Sequence, residues 1–395
     1  VEDFFARYWE KTFLHLQGDS RRFSQYFSTE DVDAWWASTR GGIFITVPEV
    51  GDGSLTQNHR PRDISMSSAY AAFARGCSLV LELLAEWPAL QGLVKGLSHD
   101  LHAEIAVEAF LTPQGARPYP RHVAGQDLFI LHLEGEKVWH LHEFSLLQVN
   151  PTQKKCFKFP LEWYRRTETP LLAEVCLKPG DLLFIPRGMP YQAVSQKGAS
   201  LHLRINVTPL FWMDFFKIAA ECAALHSQQM RKAVPPGFVE NQEICVQMRQ
   251  TFAELMTVFE ETSFDEVLAA AKRNRITLQG FPPDGHFTQL REPGDLTSDS
   301  EIERRPGILC HVDEVVDINR KTKSAIFFGH EHVNGPRHLH RAMEFIRDHP
   351  RFRVCELPGL DEKGQLVLVR RLIAEGLLRR ATADTAAPVP ELALP

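Results

Sequence analysis

Between His102 and His142 the chain sets carboxylates, imidazoles and a lysine among short apolar runs, the residue types that bind metals and move protons. From His102 the apolar period is two. Glu104, Ala106, Glu108 and Phe110 alternate with Ile105, Val107, Ala109 and Leu111, which describes a strand with one apolar face and one face bearing carboxylates. Lys137 opens another alternating run to Leu141. A lysine pointing inward from such a strand needs an anion or a buried acid beside it, and a solvated place at the strand end is the alternative. His140 and His142 at the end of that run are expected to be exposed. His311-Val312-Asp313 has a His-x-Asp spacing but falls far from these strands, while His330, His332, His338 and His340 form a local cluster expected to be solvated.

The elements that must position these residues change character along the chain. Residues 1 to about 40 read as helices with aromatic faces, from Phe4, Phe5, Tyr8 and Trp9 and then from Asp31 to Trp36. Val50 to Asp63 reads as a loop, and Ala69 to Leu97 as helical, with Leu79, Val80, Leu83, Leu84 and Leu90 on its apolar side. Short strands follow at Asp127 to Leu133, Lys137 to Leu141, Leu182 to Ile185 and Leu201 to Val207, separated by Gly and Pro turns as in a sandwich or barrel. After Thr208-Pro209 the pattern is helical: Leu210 to His226, Asn241 to Phe259, and a third helix from Ser263, where Glu266 completes a capping-box pattern. Apolar helices between two other modules suggest a surface that buries itself against a second copy of the chain. From about 286 onward, strand-like Ile308 to Val316 and Ser324 to Phe328 mix with helix-like Leu339 to Arg347 and Gln365 to Glu375. Asn334-Gly335 reads as a turn there.

Bulk properties exclude several classes of function. With 395 residues, 44% hydrophobic and 24% charged, the chain suits two or three globular domains. A net charge of −6 gives no basic field for nucleic acid. The seven cysteines lack a CxxC pair or regular spacing, which argues against a zinc site and a disulfide framework and suits a reducing cytoplasm. No apolar run approaches the roughly 20 residues of a membrane span. Val1 in place of an initiator Met suggests a trimmed start.

Four segments carry a resemblance: Phe4 to Lys11, Leu133-Glu134-Gly135-Glu136-Lys137-Val138-Trp139, Pro179-Gly180-Asp181 to Pro186-Arg187-Gly188, and Ser200-Leu201-His202-Leu203. With the Arg121 to Trp139 and Gly180 to Ala193 strands, they resemble JmjC-type cupin oxygenases of the ribosomal oxygenase group. The resemblance implies a mixed α and β fold: a double-stranded β-helix barrel with N-terminal helices over 1–207, a helical dimerisation segment over 208–285 and a winged-helix-like domain over 286–380; the Ala- and Pro-rich composition of 381–395 reads as a flexible tail. The resemblance also implies Fe(II) and 2-oxoglutarate as cofactors and a peptide or protein as substrate, with a homodimer as the assembly, while hydropathy and the net charge leave neither a membrane nor nucleic acid as an expected partner.

The same resemblance assigns the pocket. His122 falls on the first metal ligand, Ala124 on the carboxylate ligand and Tyr191 on the second His, so one imidazole remains of three ligands. Lys137 falls on the lysine that pairs with 2-oxoglutarate, Phe110 on a Tyr that donates to the same carboxylate, and Arg204 on a small hydroxyl residue. Glu108 stands where an Asn faces the metal. Two arrangements follow. Either Glu108 pairs with Arg204 or Lys137 and closes the pocket, or it replaces the missing carboxylate in a rearranged site with His122 and one of Tyr191, His132 or His202. The first expects a peptide- or protein-binding subunit with no metal or a weakly bound one. The second expects an active enzyme that modifies a side chain of a peptide or protein.

Overall fold

The computed structural model describes residues 2–38, 43–46, 56–59, 65–82, 84–143, 169–277, 280, 284–291, 295–316 and 321–381. They fall into two compact units that divide between Pro209 and Leu210. The tail beyond 381 lies outside the described residues.

In the first unit, helices α1 (Glu2–Arg7), α2 (Thr29–Ser38), α3 (Met66–Ala74) and α4 (Gln91–Leu101) surround the strands. The strands are β1 (Leu14–Leu16), β2 (Ile43–Thr46), β3 (Thr56–His59), β4 (Ser78–Leu81), β5 (Glu104–Thr112), β6 (Asp127–Glu134), β7 (Lys137–His142), β8 (Leu171–Leu177), β9 (Leu182–Ile185), β10 (Tyr191–Ser195) and β11 (Ser200–Thr208). They build an antiparallel sheet in the order β1-β9-β6-β11-β5-β4-β2-β3 and a second in the order β10-β7-β8.

Strand parity decides what each face does. On β5, β6, β9 and β11 one set of residues, among them Val107, Ala109, Phe129, Leu131, Phe184, Leu203 and Ile205, packs with Phe4, Trp35, Leu84 and Leu90 of the helical layer. Burying each such side chain is worth about 1.5–3 kcal/mol. The opposite set points between the sheets, where Leu128, Ile130, Leu183 and Ile185 meet Trp139, Leu141, Val175 and Tyr191 of β7, β8 and β10. Glu108, Phe110, His132, His202 and Arg204 share this inner parity, so the strands that make the core also aim the polar groups inward.

Three expectations fail here. Ser78–Leu81 is a fully buried strand between β2 and β5, not part of a helix. The helix before it ends with a backbone bond from Gly76 to the Phe73 carbonyl, and the apolar run Leu79-Val80-Leu81 then fits a two-sided strand. Thr56–His59, read as loop, pairs with Ile43–Thr46. Tyr8 and Trp9 follow α1 in a turn, and Trp9 stacks on Phe184 at 5.9 Å.

The second unit begins with α5 (Trp212–His226), α6 (Gln242–Glu260) and α7 (Phe264–Thr277), followed by a short α8 (His286–Arg291). Asn241 caps α6 by accepting from the amides of Glu243 and Ile244. Ile218, Ala219 and Cys222 of α5 pack on Val267 and Ala271 of α7, whereas α6 buries none of its side chains in the single chain. Two antiparallel sheets follow, β16-β12-β17 and β13-β14-β15, from β12 (Glu301–Arg304), β13 (Cys310–Val316), β14 (Thr322–Phe328), β15 (Glu331–Pro336), β16 (Arg351–Arg353) and β17 (Leu378–Arg380). Helices α9 (His340–Asp348) and α10 (Glu362–Ala374) complete their core through Met343, Ile346, Leu368 and Leu372. Asn334 and Gly335, expected in a turn, lie within β15, opposite Ala325 and Ser324.

Candidate active-site pocket

The pairing of β5 with β11 places Arg204 opposite Glu108 and His202 opposite Phe110. Arg204 donates from Nε to Glu108 Oε2 at 2.7 Å, and Asn206, two residues on and so on the same face, donates to the same oxygen at 2.9 Å. The guanidinium then lies 4.6 Å over the Phe110 ring. Its pKa is set by two opposed causes. Burial lowers it, but the Glu108 carboxylate and the nearby Tyr191 and Tyr119 hydroxyls together raise it, so Arg204 remains a cation. Glu82 faces the same pair, and its carboxyl is pushed up by burial and by Glu108.

Deeper in, aromatic rings stack. Phe110 and His202 lie parallel at 4.9 Å, His132 continues the stack at 6.3 Å, and Trp139 meets His202 edge-on at 5.4 Å. His132 Nε2 bonds the Gly135 carbonyl at 3.0 Å, and burial brings its pKa down to about 4. Burial likewise carries His202 well below the usual imidazole value. Both rings are therefore neutral at physiological pH.

Lys137 is fully buried, and its ammonium nitrogen donates to Thr112 Oγ1 at 2.8 Å. Burial lowers its pKa to about 7. The inward placement, rather than the solvated strand end, follows from pairing on both sides, with Ser195 of β10 and Leu177 of β8.

His122 precedes β6 in a loop and exchanges two backbone bonds with Tyr191, at 3.1 and 2.9 Å. Its Nδ1 bonds the Pro120 carbonyl at 2.8 Å and its ring lies 4.5 Å from that of Tyr191. The Tyr191 hydroxyl meets no partner at good hydrogen-bond geometry; burial raises its pKa, and the nearby Arg204 opposes the rise. Ala124 packs against the inner core and its carbonyl accepts from Gly188.

Of the residues singled out in the sequence, Phe110, His122, Lys137, Tyr191, His202 and Arg204 border one cavity, and Glu108 joins it through Arg204. Ala124 and His132 do not line it. Pro118, Tyr119, Trp139 and Ala193 complete the wall and were not foreseen. Trp139 was legible as the residue two beyond Lys137, on the same strand face; Tyr119 lies in a loop and carried no periodic signal. Burial pushes the Tyr119 phenol up to about 12. The cavity is partly open to solvent and its space is about 20 Å³, on a measure in which one water needs about 10–15 Å³. Among the described residues no three His, Cys, Asp or Glu side chains are grouped as a metal site.

The remaining histidines serve other ends. His142, expected at the surface, is 8% exposed and bonds the Thr169 carbonyl, because β8 and the Pro190 carbonyl cover its strand end. His140 is partly covered and faces Glu174. His330 bonds the Thr277 carbonyl and His332 stacks on Phe327, so the expected cluster is dispersed over separate contacts. Asp313 is paired with Arg273.

A JmjC domain family model matches residues 93–214, which contain the whole of this cavity. The chain thus carries a JmjC domain over these residues. The chain is similar to ribosomal oxygenase 1 of Rattus norvegicus, with 25% identity over 250 residues, 60% of this chain and 41% of the relative. It is also similar to the bifunctional lysine-specific demethylase and histidyl-hydroxylase NO66 of Drosophila grimshawi, with 26% identity over 248 residues, 60% of this chain and 34% of the relative. The matched part thus spans less than half of these relatives. The X-ray structure of E. coli ycfD superposes with a TM-score of 0.58 at 14% identity, covering 96% of this chain and 97% of the other. A structure of the same E. coli protein with cobalt and 2-oxoglutarate gives 0.55 at 15% identity, with 96% and 97% covered. At such identities the likeness establishes the cupin fold alone. No helix among the described residues is long and apolar enough to cross a membrane.

Proposed function

We propose that this ribosomal-oxygenase-like JmjC protein binds a peptide or protein segment and does not run the Fe(II) and 2-oxoglutarate chemistry of its fold. The observation that carries the reading is the Glu108–Arg204 pair with the guanidinium over Phe110, which leaves about 20 Å³ beside Lys137. A five-carbon diacid needs far more than the space of one or two waters. The side chains also do not fit an iron centre. Ala124 has no donor atom, and the buried phenol of Tyr191 is held away from the phenolate that would bind metal. Of the three ligand positions His122 alone offers an imidazole, His202 stands on a different strand, and Glu108 is engaged by Arg204 and Asn206.

Calorimetric titration with Mn(II) and with 2-oxoglutarate, together with an assay for succinate under Fe(II), tests this directly. No saturable binding and no succinate are expected. Succinate formation that requires Fe(II), a peptide and His122 sinks the reading, and tight metal binding lost in Glu108→Gln favours the rearranged enzyme instead.

A homodimer through residues 208–285 is part of the same proposal. Its support is the exposed apolar set Trp212, Phe216 and Leu225 on α5 with Val246, Phe252 and Met256 on α6. Light scattering is expected to give a dimer for the wild type and a monomer for Phe252→Asp. The two small sheets with α9 and α10 support the winged-helix-like reading of 286–380, and the net charge of −6 favours a scaffolding role over nucleic-acid binding. Free thiols throughout the described residues support a cytoplasmic setting.

A further inference from the structure

Lys137 combines features that no structural role requires. Its amine is fully buried, its hydrogen-bond partner is the Thr112 hydroxyl, and among the described residues no carboxylate is ion-paired with it. Around the same cavity Trp139 Nε1 and His202 Nδ1 are buried without a hydrogen-bond partner among the described residues, and the Arg204 guanidinium borders the space. The Trp139 indole N–H, a buried donor without an acceptor, costs roughly 1–3 kcal/mol, and the ammonium of Lys137 has one neutral acceptor, so such a cavity favours a small group bearing oxygen acceptors. The space of about 20 Å³ limits that group to a few heavy atoms.

We propose that Lys137 takes up carbon dioxide in this cavity as a carbamate. The nitrogen lone pair attacks the carbon of CO₂, an N–C bond forms, one C–O π bond opens onto oxygen, and one N–H proton leaves to solvent. The product is an N-carboxylated lysine, and no electrons are exchanged with another reagent. The remaining N–H keeps its bond to Thr112 Oγ1. The two new oxygens bring acceptors to a cavity walled in part by Trp139, whose indole N–H has no hydrogen-bond partner among the described residues, and the new negative charge lies in a cavity bordered by the Arg204 cation.

Only a neutral amine reacts this way. A solvated lysine near pKa 10.4 is neutral in roughly one molecule per thousand at pH 7.4, whereas burial brings Lys137 down to about 7 and leaves most of it neutral there. The proposal rests on the reading that 2-oxoglutarate does not occupy this cavity, because the carbamate fills the same space.

The test is ¹³C NMR of protein labelled with [ζ-¹⁵N]lysine and equilibrated with ¹³C-bicarbonate at pH 7.5. We expect a single carbamate resonance split by ¹⁵N, which excludes any α-amine adduct, absent in Lys137→Arg and abolished when the wild type is unfolded in urea at the same bicarbonate concentration. If Lys137→Arg does not fold, the loss on urea unfolding decides alone. No ¹⁵N-coupled resonance in folded wild type overturns the proposal, as does a resonance that survives in folded Lys137→Arg. Titration of 2-oxoglutarate in carbon-dioxide-free buffer is read separately: binding there sinks the proposed function, whereas absence of the carbamate with no 2-oxoglutarate binding sinks the carbamate alone.

Discussion

Arg204 and Lys137 border one cavity from facing sheets, and burial acts on both, yet their pKa values move in opposite directions. Strand register explains the difference. The β5–β11 pairing delivers Glu108 opposite Arg204, so the cation is held. The strands flanking Lys137 deliver Ser195 and Leu177, which carry no charge, so the amine yields its proton instead. A cation inside this barrel is thus kept or discharged according to which residue the neighbouring strand sets beside it.

The largest expected effect sharpens the Lys137 side. With its pKa near 7 when folded and 10.5 when unfolded, the unfolded chain binds more protons between those values. Stability therefore rises as pH goes from about 7 to about 10.5, by about 4 kcal/mol, and the slope vanishes below pH 7 where both states are protonated. Urea denaturation in carbon-dioxide-free buffer measures this rise, and Lys137→Met is expected to flatten it. On the Arg204 side, Glu108→Ala strands a cation whose pair is 17% and 15% exposed. The expected loss is about 3 kcal/mol, at the low end for buried pairs because of that exposure, and Glu108→Gln with Arg204→Met recovers most of it. A neutral Glu108→Ala breaks the comparison. The smallest effect concerns the stack behind the cavity. His132 titrates near 4 when folded and near 6.5 when unfolded, so stability falls as pH drops from 6.5 to 4, by about 2 kcal/mol, and His132→Leu removes that slope.

Much of this was legible because period-two alternation survives in strands buried on both faces. Glu108, Phe110 and Thr112 share a parity, as do His202, Arg204 and Asn206, and the family resemblance supplied the pairing that makes the two rows meet. Sequence left open whether Glu108 takes Arg204 or joins a metal, since side-chain direction depends on a register that no single strand contains. It missed Tyr119, which reaches the cavity from a loop, and Ser78–Leu81, whose apolar run has the same composition as a helix face. His142 was misplaced because burial at a strand end is decided by segments remote in sequence.

The bond from His132 to Gly135 has a consequence of its own. A carbonyl oxygen only accepts, so Nε2 of that neutral imidazole carries the hydrogen and Nδ1 the bare lone pair. Gly135 adopts φ +72°, and a Cβ there would lie 2.1 Å from the Ala199 carbonyl oxygen, so the turn cannot be rebuilt around another residue without moving the chain. The tautomer of His132 is therefore inherited from the backbone of the turn that carries the chain from β6 in one sheet to β7 in the other. A loop that joins two strands also decides where a hydrogen atom sits inside the barrel.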